Sequence, residues 1–197
     1  HDKGYIMSRK LSADQKALMA EARSFAQDTL MPLQARADKG VLAPADYRAM
    51  WDACMEARYT GLPLSKASSG RGLSLSDCML AFEAMAAAGA DLGFLFSLGV
   101  HQFAVAVSVA SIGSEDQQAQ WLPSMATGAC IGALAVSEVE AGSDTYAMKA
   151  RAEEAADGFA ISGEKIWISN ATVADLFVVL ARTSDTPGMF GISCFAV

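Results

Sequence analysis

The first 128 residues carry hydrophobic positions at the three- and four-residue spacing of amphipathic helices. Ser12 and Gln15 can form a capping box, and the apolar positions after them predict a helix that ends at Pro32. Pro44 predicts the start of a second helix, and a serine- and glycine-rich loop follows at 62–74. These patterns indicate an all-helical region.

Three more helices are predicted before the chain changes character. The first begins at Ser74 or Ser76 and ends at Gly89, because glycine readily adopts the left-handed backbone at a helix end. The second is a buried apolar helix over about 98–112. The third is more solvated and is capped by Ser114.

After residue 128 the hydrophobic pattern takes the period of two that is typical of strands. ACIGALAVS predicts a first strand, and Asp157-Gly158 predicts a hairpin turn between two more, the second of which reaches Trp167. DLFVVLART and MFGISCFAV predict two further strands. The fold class is therefore α+β, with an N-terminal all-α helical domain at 8–128 and an antiparallel, barrel-like β domain at 129–197.

The two ends of the sequence indicate how much of the protein it includes. The last apolar strand reaches Val197 without a turn or a polar tail, and native proteins avoid an unpaired apolar strand edge. We therefore expect the β domain to be incomplete, so that another segment or chain completes it or the sequence is a fragment. Residues 1–7 show no apolar signal region, and we expect a tag remnant or a disordered start there.

Composition narrows the classes of function. Hydrophobic residues make up 52% of the chain and charged residues 19%, which is typical of a globular protein. The net charge of −7 argues against general nucleic-acid binding, since the phosphate backbone would be repelled. No apolar run is expected to be long enough to cross a bilayer, because Ser, His and Gln interrupt the nearest candidate at 94–112, and we therefore expect no membrane span. Three methionines at helical spacing are interpreted as core residues rather than a cofactor-lining set: Met79, Met85 and Met125.

The cysteines give no sign of a metal site. They are far apart in the sequence, and no histidine accompanies them at metal-ligand spacing. We expect reduced, mostly buried thiols and a cytoplasmic location. The four residues are Cys54, Cys78, Cys130 and Cys194.

Residues 134–144, LAVSEVEAGSD, join an apolar strand to a small, polar turn. An ordinary strand end followed by a Gly-Ser turn would explain the pattern. Alternatively, strand N–H groups with the Ser137 and Ser143 hydroxyls bind a polar ring or a phosphate, and Gly142 lets that group approach the backbone closely.

The segment WISN at 167–170 presents a similar choice. Trp167 on a strand is either a large core residue or an aromatic plane against a flat cofactor. On a strand the Ser169 hydroxyl, two residues further on, would point to the same face.

Taken in order, these segments resemble the acyl-CoA dehydrogenase family of flavoproteins. The family's motifs are matched by SEVEAGSD at 137–144, GEKIWISN at 163–170 and ADLFVVLAR at 174–182. In the helical half, IGSEDQQAQWLPSMATG at 112–128 is similar to another family motif, and the likeness extends from about residue 11 to the end. The sequence departs from the family's pattern at Val139, where proline is usual, and at Leu134, where an aromatic residue is frequent.

The resemblance implies that FAD binds against the β domain. Backbone groups at Val136 and the Ser137 hydroxyl would hydrogen-bond the flavin's pyrimidine edge, Trp167 would pack beside the ring system, and Ser169 would reach the N5 region. Ser143 matches a position that also touches the substrate's thioester arm. The implied cofactor-binding residues are Leu134, Val136, Ser137, Gly142, Ser143, Trp167, Ile168 and Ser169.

The reaction implied is α,β-dehydrogenation of an acyl thioester, with hydride transfer to the flavin. The family's catalytic base is a glutamate in a C-terminal helical domain that this sequence does not include, so no catalytic residue is assigned. Glu138 and Glu140 are not interpreted as an acid–base pair, because the family resemblance gives neither residue that role.

The resemblance also implies partners and leaves alternatives open. The substrate would be carried on CoA or on an acyl carrier protein, electrons would pass to an electron-transfer flavoprotein, and the protein would act in fatty acid metabolism as a homotetramer or dimer. An acyl-CoA oxidase, a nitroalkane oxidase or a flavin monooxygenase on the same scaffold remains an alternative. So does a non-catalytic binding or assembly module.

Overall fold

The computed structural model describes residues 10–36 and 41–197, so the expected tag remnant at 1–7 lies outside the described residues. Helices and strands follow one another along the chain as the hydrophobic pattern predicts. The helices are α1 Ala13–Phe25, α2 Met31–Gln34, α3 Pro44–Glu56, α4 Leu75–Ala88, α5 Leu92–Gly99, α6 Val107–Ile112 and α7 Glu115–Thr127. The strands are β1 Gly132–Ala135, β2 Arg151–Ala155, β3 Gly158–Ser162, β4 Leu176–Arg182 and β5 Ile192–Ala196.

The first helix starts as predicted and continues further than predicted. Ser12 and Gln15 form a capping box, in which each side chain bonds the other residue's backbone N–H at 3.1 Å. The helix does not end at Pro32, because a π-helical turn at Ala26–Leu30 leads directly into α2. That wider turn places the proline in the first turn of α2, where its missing N–H is tolerated.

The other helix boundaries follow the local signals. Ser74 caps α4 and Ser114 caps α7, while Gly89 and Gly128 end these helices in the left-handed conformation with φ of 106° and 86°. The loop at 62–74 is confirmed, apart from one 3-10 turn at Lys66–Ser68.

The apolar helix starts earlier than residue 98 and is longer than predicted. It spans Leu92–Ile112 as α5, a π-helical stretch at Val100–Ala106 and α6. With 21 residues and a mean hydropathy of 1.7 it is long and apolar enough to cross a membrane, so the expectation that no such run exists was wrong. Core helices of soluble proteins meet the same criterion, and 44% of its most apolar window is buried within the protein.

The strands form one mixed sheet around β4. β1 pairs parallel with the start of β4, β2 meets β4 in parallel only at Arg182, and β2 and β3 form an antiparallel hairpin. Val178 and Val179 pair with both β1 and β5, so antiparallel β5 lies on the opposite edge of β4 from β1. The α+β class is confirmed, but the sheet is mixed rather than antiparallel and is not closed into a barrel.

Two details of the β region differ from the prediction. The hairpin turn consists of Ala156 and Asp157, because Gly158, with φ of 135°, is already the first residue of β3. β3 ends at Ser162, so Trp167 lies in an irregular segment and not on a strand. Gly163, with φ of 141°, breaks the strand geometry directly after Ser162.

The described residues form two compact units. One comprises residues up to Ala53 together with Leu73–Leu95, and the other comprises Cys54–Gly72 and Phe96–Val197. This grouping by proximity differs from the predicted domains 8–128 and 129–197, which stay a prediction.

Each unit has its own buried residues. In the first, α1 packs on α4, and the rings of Tyr47 and Phe94 meet edge-on with centroids 5.6 Å apart. Met85 and Met125 are fully buried as predicted, but Met79 is 48% exposed, so its assignment to the core was wrong. The second unit's main cluster consists of Leu64, Val105, Ala106, Val109, Leu122, Met125, Ala126, Leu176 and Val178.

Candidate functional site

The two polar motifs of the sequence meet directly after β1. The Ser137 carbonyl accepts a hydrogen bond from the Ile166 backbone N–H at 2.9 Å, and the Val136 carbonyl accepts one from Lys165 Nζ at 2.9 Å. Trp167 is the next residue after Ile166. The segments at 134–144 and 163–170 are therefore neighbours in space, as the binding hypothesis requires.

A tight turn carries the chain from Ser137 to the exposed Gly-Ser pair. Glu138 and Ala141 bond each other's backbone twice, at 3.0 and 3.2 Å, with Val139 and Glu140 at the tip. The turn thus closes with valine at the position where the family usually has proline.

Gly142 and Ser143 lie on the surface after this turn. A Cβ added to Gly142 would meet no atom within 4 Å, so the backbone there is open to a ligand. The Ser143 side chain is exposed and accessible to the same ligand.

The WISN segment is a turn with two residues at positive φ. Trp167 has φ of 58° and Asn170 has φ of 68°, and a non-glycine residue rarely adopts this conformation without support. The Asn170 amide supplies that support. Its Oδ1 accepts from Ser97 Oγ at 2.6 Å, and its Nδ2 donates to the carbonyls of Ser97 and Gly132 at 3.1 and 3.0 Å.

Because of this turn, the Trp167 side chain is 89% exposed. Burying a tryptophan indole is strongly favourable, so the exposed ring is available to stack on a flat ligand. The prediction that Trp167 lies on a strand was wrong, and its role beside a cofactor stays a prediction.

The other residues that the sequence predicts for the site are less exposed. Val136, Ser137, Ile168 and Ser169 are all half-buried. Leu134 is half-buried too, and its side chain packs against the second unit's core cluster. Its side chain therefore faces the core, and a cofactor would meet its backbone.

Sequence reasoning missed an ion pair behind the site. Lys165 and Glu138 have side chains only 12% and 9% exposed, with Nζ 2.8 Å from Oε1. Burial pushes the pKa of Glu138 upward, but hydrogen bonds from Lys165 and from the N–H groups of Lys149 and Ala150 outweigh it and hold that pKa below its usual range. The carboxylate is thus engaged as a charged structural acceptor.

Glu140 has a different environment, since it is exposed and pairs with Lys149 at the surface. Across residues 10–36 and 41–197, no group of three or more His, Cys, Asp or Glu side chains could hold a metal ion.

The residues of the two motif segments fit the flat, polar-edged cofactor that the family resemblance implies. An aromatic plane at Trp167, hydroxyls at Ser137 and Ser143, and an open backbone at Gly142 all belong to connected segments. The donor set suits a neutral aromatic ring with carbonyl and N–H edges.

Comparison with known proteins covers nearly the whole chain. Residues 12–129 match the family model "Acyl-CoA dehydrogenase, N-terminal domain", and residues 133–197 match "Acyl-CoA dehydrogenase, middle domain". Two curated relatives illustrate the range of names. An L-prolyl-[peptidyl-carrier protein] dehydrogenase of Serratia sp. is 32% identical over 97% of this chain and 49% of its own length. A mitochondrial isovaleryl-CoA dehydrogenase of Solanum tuberosum is 30% identical over 93% of this chain and 44% of its own.

Among solved structures, an FAD complex of PigA superposes with a TM-score of 0.88 and 32% identity, covering 97% of this chain and 49% of that one. The chain thus spans about half the length of the relatives it matches. With both family models matched in order, the chain belongs to the acyl-CoA dehydrogenase family.

Proposed function

We propose that this chain binds FAD where 136–143 and 167–169 meet, and that the whole protein is an FAD-dependent dehydrogenase of acyl thioesters. The observation that carries the proposal is the Trp167 indole, held 89% exposed on a fixed turn beside Ser137. The family assignment and the FAD complex of a 32% identical relative support it.

Each group of the two motif segments has a role in this proposal. The Val136–Ser137 backbone and the Ser137 hydroxyl bind the pyrimidine edge of the flavin, while Trp167 covers the ring and excludes water. Ser169, held in the same turn, reaches the N5 side. Asn170 acts indirectly, since its amide fixes the turn against Ser97 and Gly132.

FAD, when bound, supplies the hydride acceptor. The chain's own residues bind and orient it and leave Gly142 and Ser143 open for the thioester arm of the substrate. Neither Glu138 nor Glu140 is assigned to proton abstraction, because Lys165 and Lys149 already engage them.

The names of the relatives include two different acyl carriers. The 32% identical relative acts on a prolyl group carried by a peptidyl-carrier protein, while other relatives of about 30% identity act on isovaleryl-CoA. We infer a carrier-bound thioester as the substrate class. Mixing the oxidised protein with prolyl-carrier protein and, separately, with isovaleryl-CoA and following the 450 nm absorbance of bound FAD separates the two carriers.

Cofactor binding is tested first. Titrating the protein with FAD and following quenching of flavin fluorescence should give saturable binding. Trp167→Ala should weaken it at least about fivefold, since an aromatic contact contributes about 1 kcal/mol beyond burial. Phe190→Ala is the matched control, because Phe190 is 84% exposed and lies outside both motif segments. Absence of FAD binding would refute the proposal and favour a non-catalytic binding or assembly module.

Dehydrogenase and oxidase activity are separated after reduction. We expect the substrate-reduced protein to react slowly with oxygen and quickly with an electron-transfer flavoprotein. Stopped-flow reoxidation in air measures this, and rapid reoxidation would assign an oxidase or monooxygenase instead. A cytoplasmic location, a homotetramer or dimer, and a place in fatty acid metabolism belong to the same proposal.

A further inference from the structure

Lys165 lies where the two motif segments meet. Its Nζ donates to the Val136 carbonyl at 2.9 Å and to Glu138 Oε1 at 2.8 Å, with Met148 Sδ at 4.0 Å. Its side chain is only 12% exposed. The ammonium therefore has a fixed position, and that position is against a backbone carbonyl of the proposed flavin site.

Glu138 holds this arrangement from the other side. Its carboxylate accepts from the N–H groups of Lys149 and Ala150 at 2.6 and 2.9 Å, in addition to Lys165. Stability alone is a weak reason for such a pair, because apolar residues of similar volume are often equally stabilising in a buried position. What an apolar pair could not do is place a positive charge on the Val136 carbonyl.

That charge acts through one peptide group. The Val136 carbonyl and the Ser137 N–H belong to the same amide, and a cation on the oxygen polarises the amide and makes its N–H a stronger donor. The Ser137 side of this amide carries the groups that the proposed function assigns to the flavin's pyrimidine edge.

We propose that Lys165 is a positioning residue whose ammonium fixes and polarises the Val136–Ser137 amide toward bound FAD, and that Glu138 moderates the charge it presents. This inference rests on the proposed FAD binding. It assigns a distinct effect to each member of the pair. Lys165 stabilises the reduced, more negative flavin, and Glu138 opposes that stabilisation.

The two single variants should therefore act in opposite directions. Lys165→Met should weaken FAD binding about tenfold and lower the reduction potential of bound FAD, because a positive charge is lost. Glu138→Gln should raise that potential, because the negative charge is lost while the ammonium remains. Lys149→Met is the matched control, since it removes an exposed lysine from the surface pair with Glu140 and should leave both quantities unchanged.

Losing one member of a buried pair can unfold a protein, so the double variant Lys165→Met/Glu138→Gln provides a second route. It removes both charges and should give a potential between those of Lys165→Met and the wild type, with folding checked by circular dichroism. If wild-type protein binds FAD but the single variants shift the potential in the same direction or not at all, this inference is overturned alone. If the wild type binds no FAD, the proposed function falls and takes the inference with it.

Discussion

Among individual residues, His101 is a buried polar side chain with both ring nitrogens engaged. Its Nδ1 accepts the Gly132 N–H at 3.0 Å, so the ring proton is on Nε2, which donates to the Met125 carbonyl at 3.0 Å. The neutral ring thus joins the π-helical stretch, α7 and the start of β1. Burial lowers its pKa to about 4.

This pKa gives a pH dependence of stability with a definite sign. The unfolded chain takes up the imidazole proton below its ordinary pKa of 6.5, whereas the folded protein resists protonation down to about 4. The contribution of His101 to stability is therefore fully present above about pH 6.5 and is lost as the pH falls toward 4. Between pH 7.5 and 5 the free energy of unfolding should decrease by about 2 kcal/mol.

Urea unfolding at several pH values measures this decrease. His101→Gln removes the titrating group and should flatten the curve between pH 7.5 and 5. Glu138 does not interfere, because its pKa is held below its usual range and it titrates at lower pH. If the stability of the variant falls with pH as steeply as that of the wild type, the pH dependence does not come from His101.

Asn170 combines backbone strain with three side-chain hydrogen bonds. Asn170→Ala should lower the free energy of unfolding by about 2–3 kcal/mol, because the partly buried partners lose their bonds. Asn170→Gly loses the same bonds but accepts the positive φ, so it should be about 1 kcal/mol more stable than the alanine variant. Chemical denaturation of the pair compares them, and a glycine variant less stable than alanine would refute the strain argument.

Helices and strands were predicted best where the signal is local. Ser12, Ser74 and Ser114 each bond the backbone N–H three residues later, so the caps can be recognised within four residues of sequence. The continuation of the helix past Pro32 could not be recognised, because it depends on the π-helical turn at Ala26–Leu30, which has no local sequence signal. The turn at Trp167 was missed for a similar reason, since Asn170 is fixed by Ser97, 73 residues away.

The α7 cap provides a test of a single helix. Ser114→Ala removes the hydroxyl that accepts the Gln117 N–H and so breaks the capping box. It should lower the free energy of unfolding by about 1 kcal/mol. Ser111→Ala makes the same chemical change on the exposed end of α6, where the hydroxyl bonds only the Val107 carbonyl, and should be nearly neutral. Thermal unfolding distinguishes the two, and equal losses would show that the cap has no special role.

Across the whole chain, the four cysteine thiols differ in solvent exposure. Cys54 and Cys78 are fully buried, Cys130 is half-buried and Cys194 is exposed. Burial raises the pKa of the Cys54 thiol. The expectation that the thiols are mostly buried holds fully only for Cys54 and Cys78.

Thiol titration of the native protein should therefore show Cys194 reacting first and Cys54 and Cys78 reacting only after denaturation. The measurement is the absorbance released by an aromatic disulfide reagent, with and without guanidinium. Cys194→Ser is the control and should abolish the fastest phase. A fast phase that survives in this variant would contradict the exposure of Cys194.

The sheet shows why whole-chain topology resists local reasoning. β1 finds its parallel partner β4 more than 40 residues later, and β5 pairs with the opposite edge of the same strand. Strand patterns specify which residues alternate, but they carry no information on which neighbour lies beside which edge. An antiparallel sheet was therefore predicted from hairpin signals, and a mixed sheet formed.

The sequence carried enough information for the helix caps, for most strand segments and for the family, since each depends on residues close together in the chain or on motif order. It also named Ser137, Gly142, Ser143 and Trp167 as candidate site residues, and their role in binding stays a prediction. The fold was needed to bring Ile166 onto Ser137, to turn Trp167 out to solvent and to bury Lys165 against Val136. These contacts join segments about 30 residues apart through backbone carbonyls, which have no signature in the side-chain sequence.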